Sequence, residues 1–141
     1  MKRLPGVALL AVALTACGGL GSSAAPSQGL EGTSWTLVEI NGREPAGDTV
    51  PALAFDEAGN VSGSAGCNTY TGAATIEGSS ISMGPLATTR MACQGAAGVQ
   101  ETAFLAAMNG VQAYTIDSQG RLVLENGVVL VFEPAENASA S

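Results

Sequence analysis

Three side chains in this sequence can attack, ligate or cross-link: the thiols of Cys17, Cys67 and Cys93. What each can do depends on its neighbours. A cysteine nucleophile needs a base or a strong cationic field, because a free thiol has a pKa of about 8.5. The chain has no histidine. Asn68 follows Cys67 and has the residue type of the third member of a cysteine-protease triad, but without an imidazole it has nothing to orient. Arg90 is the group left to depress a thiol pKa. For a metal, two cysteines without histidine do not complete the four-ligand set of a structural zinc, and the adjacent Asp56 and Glu57 form no ligand-spaced array. The glycine-rich run Ser62-Gly63-Ser64-Ala65-Gly66 lacks the following lysine and helix of a phosphate cradle. Neither a metal nor a cofactor is expected.

Acid–base chemistry fares no better. Apart from histidine, it needs a carboxylate or lysine with a strongly shifted pKa. Most carboxylates here sit in turn-like stretches such as DEAGN at residues 56–60, where solvation keeps pKa values ordinary. Glu101 differs, because it falls in a helical stretch as a helix-start charge or a partner for Arg90. The residue inventory points to a protein that is not an enzyme, with no catalytic residue.

The fate of the thiols follows from the address of the chain. It opens MKRLPGVALLAVALTACGG, with two cations, an apolar run from Val7 to Leu14, small residues and then Cys17. The run is much shorter than the roughly 20 residues needed to span a bilayer, so it reads as a secretion signal. Leu14-Thr15-Ala16-Cys17 resembles the bacterial lipobox, which implies cleavage before Cys17 and acylation, palmitate included, of the new amino terminus. Several acyl chains anchor far more firmly than one. Gly18 stands where an aspartate would signal inner-membrane retention, so the expected location is the cell envelope, on the extracytoplasmic side, at an outer membrane where there is one. With Cys17 consumed by lipid, Cys67 and Cys93 remain as an even pair in an oxidising compartment and are expected to form a disulfide.

The processed chain keeps 3 cations (5 − 2) against 12 anions, a net of −9. Arg43, Arg90 and Arg121 are too scattered to neutralise phosphates, which argues against nucleic acid as a partner. The expected organisation is a signal peptide at 1–16, a lipidated cysteine and Gly/Ser/Ala-rich tether at 17–29, one folded domain at 30–134, and a disordered tail at 135–141.

The elements that must position Cys67 and Cys93 are mainly strands. Ser34–Ile40 reads SWTLVEI, with Trp35 and Leu37 on one face, and Asn41-Gly42 favours a tight turn behind it. Further strands are expected at 53–55, 61–65, 70–76, 80–83, 111–116, 121–124 and 128–132, separated by polar or glycine-bearing turns. The rhythm breaks once, at GVQETAFLAAMNGV (98–111), where apolar residues fall on three-and-four spacing; a helix is expected near 98–108, stopped by a left-handed Gly110. The fold class is mainly β (α+β), a small curled antiparallel sheet or barrel with one helix. With only 6 aromatic residues, aliphatics must fill most of its core. Trp35 and Tyr70 read as core or barrel-mouth packing.

Trp35, SGSAGCNTYTG (62–72), TTRMAC (88–93), Glu101 with Phe104-Leu105, and LVLENGVVLVF (122–132) resemble the META domain of HslJ-like heat-inducible bacterial lipoproteins. The likeness covers about 30–133. Gly66-Cys67-Asn68 and Thr89-Arg90-Met91-Ala92-Cys93 are its most specific pieces. The resemblance implies a lipocalin-like barrel with one helix and a role in envelope integrity or stress response. It implies structural parts for Trp35, Gly66, Asn68, Arg90 and Met91, and no known reaction. The sequence reading is thus a lipid-anchored envelope protein that binds an envelope component; the alternative is a barrel that binds a small apolar ligand.

Overall fold

The computed structural model describes residues 29–135. The expected signal, Cys17, and all but the last residue of the expected tether and the first of the expected tail lie outside them. Nine strands and one helix follow in the order β1 (Ser34–Ile40), β2 (Ala52–Phe55), β3 (Asn60–Ser64), β4 (Thr69–Glu77), β5 (Ser80–Met83), β6 (Ala87–Thr88), α1 (Gly95–Gly110), β7 (Ala113–Ile116), β8 (Leu122–Glu125) and β9 (Val129–Pro134). The sheet order is β3-β2-β1-β9-β8-β7-β5-β4, and β4 pairs back onto β3. All ladders are antiparallel and eight strands close into a barrel, which leaves the ring no free edge. The ninth, β6, pairs only with the start of β4, opposite Tyr70 and Thr71.

Turn chemistry sets the registers. Asn41 and Gly42 both take positive φ (52° and 80°), and Ile40 and Arg43 exchange backbone hydrogen bonds across them. This is the two-residue hairpin that Asn-Gly favours. At the opposite end, Asp56 accepts from the N–H groups of Ala58 and Asn60, and Asp117 from those of Gln119 and Arg121. These bonds hold both carboxyls below their usual pKa range, so the turn carboxylates are not wholly ordinary. In β1 a bulge between Leu37 and Glu39 shifts the pairing with β9. The strict alternation read from the sequence therefore fails beyond Leu37, and Ile40 turns toward the core.

The barrel interior is filled by side chains. Leu37, Leu53, Val61, Tyr70, Ile81, Leu122, Leu124, Leu130 and Phe132 are all at most 2 % exposed. Trp35 is buried among them and donates its indole N–H to Thr33. Phe104 of α1 sits between Tyr70 and Phe132, with ring centroids 5.8 and 6.3 Å away in tilted and edge-on geometry. Burial pushes the Tyr70 hydroxyl pKa well up, and that hydroxyl donates to the Ala52 carbonyl.

The helix lies over one barrel end. Strand directions bring the β1–β2, β3–β4 and β8–β9 connections to the same end, and α1 touches all three. Gln100 exchanges hydrogen bonds with the Ala46 backbone, Glu101 reaches Cys67 and Asn68, and Gly110 lies against Asn126. The helix begins earlier than expected and includes Gly110, which is not left-handed. A Cβ there would lie 2.2 Å from the Asn126 amide nitrogen, so Gly110 serves close approach rather than a reversal of the chain. Among the described residues no helix is long and apolar enough to cross a membrane.

Candidate functional site

The two sequence motifs meet where the β3–β4 turn faces the segment entering α1. Cys67 and Cys93 are bonded, with Cα atoms 6.1 Å apart, within the range that a disulfide bridges. The even pair therefore resolves as a staple. Gly66 before it takes φ +121°, a conformation that L side chains rarely adopt, and this bends the chain so that Cys67 faces the helix.

Asn68 organises the rest. It is buried, and its carbonyl oxygen accepts from the Met91 N–H (2.6 Å) and the Thr89 hydroxyl (2.9 Å). Its amide nitrogen donates to the Met91 carbonyl (3.2 Å) and to Glu101 Oε1 (2.7 Å). The side chain thus pairs with the Met91 backbone much as a neighbouring strand would. Thr89 also accepts from the Thr69 N–H, tying its segment to the start of β4. Glu101, 8 % exposed, completes the cluster: its Oε2 accepts from the backbone N–H groups of Cys67 (2.9 Å) and Asn68 (2.6 Å). Among the described residues, Asn68 and Glu101 are the buried polar side chains, and no buried side-chain polar atom lacks a partner. Desolvation raises the Glu101 pKa, but the donors on Asn68 and Cys67 outweigh it and hold the carboxyl below its usual range.

Both roles expected of Glu101 need correction, the first because it lies in the middle of α1 rather than at its start. Arg90 is exposed, and among the described residues the one ion pair is Arg121 with Asp117, so Glu101 is partnered by Asn68 and two backbone amides rather than by Arg90. Met91 is 64 % exposed, so its contribution to the cluster is its backbone. Asn68 joins two segments 23 residues apart. A glutamate mid-helix at the spacing of the buried Phe104 and Met108 was the signal for an inward carboxylate. Thr89, quoted only as part of a motif, proves to be a partner of Asn68.

A second feature lies on the same barrel end. An open groove of about 630 Å³ runs between α1 and the β1 turn, with Ile40, Val99, Ala103 and Val128 as its apolar lining and Arg43 and Glu44 among its polar residues. Val99 is 73 % exposed. The outward helix residues Ala96, Val99, Thr102, Ala103 and Ala106 include no charge.

The family model described as META domain matches residues 28–137. Among solved structures, one described as the NMR structure of the protein from Burkholderia xenovorans aligns at TM-score 0.63 and 26 % identity, covering 82 % of this chain and 95 % of that one. A second NMR structure aligns at 0.62 and 23 % identity, covering 74 % and 90 %. A DUF4847 family protein from Bacteroides vulgatus ATCC 8482 aligns at 0.55 and 16 % identity, covering 73 % and 92 %. The last two likenesses are of fold. No curated protein matches the chain.

Proposed function

The chain belongs to the META domain family, and from that premise we propose that it is a non-catalytic binding protein of the cell envelope, anchored by lipid on Cys17 and acting in envelope integrity or stress tolerance. The observation that carries the non-catalytic part is the commitment of the buried cluster. The two thiols are joined, and Glu101 accepts three N–H bonds that keep it ionised, which makes it a weak base near neutral pH. Arg90 is out on the surface.

The binding part rests on the groove beside α1. The packed interior argues against a ligand at the barrel centre, whereas the groove combines an apolar floor with a few polar groups, as binding sites do. Its position supports a partner on the side away from the membrane. Residue 30 enters and residue 135 leaves at the barrel end opposite α1, where Gly32 bonds Phe55 and Ala135 bonds Ser34. A tether rooted there leaves the groove at the far end of the barrel, open to an envelope protein. The second reading, a small apolar ligand, uses the same groove.

A photo-crosslinking residue at Val99 tests this in intact cells. The proposal expects one discrete adduct, lost when Ala103→Glu places a charge on the groove floor. Crosslinking no greater than at exposed Thr71 on the barrel wall would contradict it.

A further inference from the structure

We propose that the chain, once its disulfide is reduced, binds one thiophilic divalent cation of the zinc or cadmium class through Cys67, Cys93 and Glu101. The sequence-level objection to a metal was a shortage of ligands, and the fold supplies a third. One donor atom from each of these residues lies within 4.8 Å of the others, on the β3–β4 turn, the segment before α1 and α1 itself. The inference rests on this cluster alone and is independent of the groove.

The carboxylate is already arranged for the task. Oε2 is occupied by two backbone N–H groups, while Oε1 accepts only the Asn68 amide and so keeps a lone pair free, 3.8 Å from Cys93 Sγ. In a tetrahedral zinc site with Zn–S of about 2.3 Å and Zn–O of about 2.1 Å, sulfur and oxygen ligands stand about 3.6 Å apart. That pair is nearly in place. The two sulfurs must separate to about 3.8 Å, the S–S distance across the same tetrahedron, by rotation of side chains whose Cα atoms are 6.1 Å apart. Asn68, fixed by Met91 and Thr89, orients the carboxylate through its bond to Oε1, as outer-shell groups do at metal sites, and its amide nitrogen also lies 3.5 Å from Cys93 Sγ. Both cysteines are half-buried, so the fourth position faces solvent and takes water. Three protein ligands plus water is an open coordination sphere.

The chemistry balances with a dithiol as reductant. The dithiol gives two electrons and two protons to the Cys67–Cys93 bond, yielding two protein thiols and its own disulfide. A free thiol has a pKa of about 8.5, so near neutral pH a cation that binds thiolates displaces thiol protons. Binding then forms two metal–sulfur bonds and releases two protons, and Glu101 releases none because it is already ionised. Two thiolates, one carboxylate and a dication leave the site at −1.

The test is cadmium titration of the full chain, oxidised or reduced by a phosphine under anaerobic conditions, followed by thiolate-to-cadmium charge-transfer absorption and proton release. The reduced chain should saturate at one ion with two protons released, and the oxidised chain should show neither. Cys93→Ser should abolish the one-ion signal. Glu101→Gln should weaken binding about tenfold or more, at least the loss typical of an outer-shell change. If Glu101→Gln does not fold, cobalt in the reduced wild type reports the site, because its visible bands should be those of a four-coordinate ion with two sulfur ligands. Near-UV dichroism tracks folding throughout. The inference is overturned by a reduced chain that keeps its dichroism but takes no ion, by a reduced unfolded chain that cadmium does not refold, by an unchanged signal in Cys93→Ser, or by six-coordinate cobalt.

Discussion

Glu101 is a carboxylate in a nearly closed pocket that is stable because three N–H donors replace its water. Replacing it by Gln puts an NH2 group among donors and leaves at least one buried N–H unpaired. Glu101→Gln should therefore lower stability by about 1–3 kcal/mol, read from denaturant midpoints, without changing the fold. The pH dependence has a definite sign. The folded pKa lies below the ordinary glutamate value, so the stabilisation is fully present above that value and is lost as pH falls through the folded pKa. The gap between wild type and Glu101→Gln should accordingly narrow in acid, and a gap that widened would contradict the clamp. Only part of this cluster was legible in the sequence. The pairing of Cys67 with Cys93 followed from parity and compartment. The bond from Asn68 to Glu101 did not, because it joins residues 33 apart that the barrel topology alone brings together.

The elements were more legible than their joints. All eight barrel strands were marked by alternating or β-branched stretches, and seven of them, β9 excepted, run directly or within two residues into Asp, Asn or Gly. Two-residue β6 carries no pattern of its own, and the β1 bulge depends on pairing with β9, far along the chain. The start of α1 was missed because helix-poor Gly95 and Gly98 flank two alanines; Gly95 takes φ +70°, and a packing contact holds Gly98. A Cβ on Gly98 would lie 2.3 Å from the Cys93 carbonyl oxygen. Helix propensity alone favours Gly98→Ala by about 1 kcal/mol, but forcing a methyl into a filled space costs about 1–3 kcal/mol. The steric cost should prevail, and Gly98→Ala should lower the thermal midpoint. The disulfide ties this segment to the β3–β4 turn over a separation of 26 residues, which is worth about 3 to 4 kcal/mol in the chain-entropy model. Replacing both cysteines by alanine should remove about that much at neutral pH.

At the scale of the whole molecule, the described residues form a closed barrel with its chain ends at one pole and α1 with its groove at the other. A lipid on Cys17 and a tether of 12 residues, 18–29, would hold the barrel within about 40 Å of the bilayer at full extension, at about 3.3–3.6 Å per residue. Cys17→Ala should release the protein from membranes into the soluble fraction, and retention in the membrane pellet would refute the anchor. The central claim is that the protein works by binding through the groove and not by turnover at the Cys67–Glu101 cluster. Complementation of a deletion strain under envelope stress, using variants expressed at matched folded levels, tests it most directly. The account predicts that Glu101→Gln restores survival and Ala103→Glu does not. Rescue by Ala103→Glu together with failure of a folded Glu101→Gln protein would contradict it and place the activity in the buried cluster.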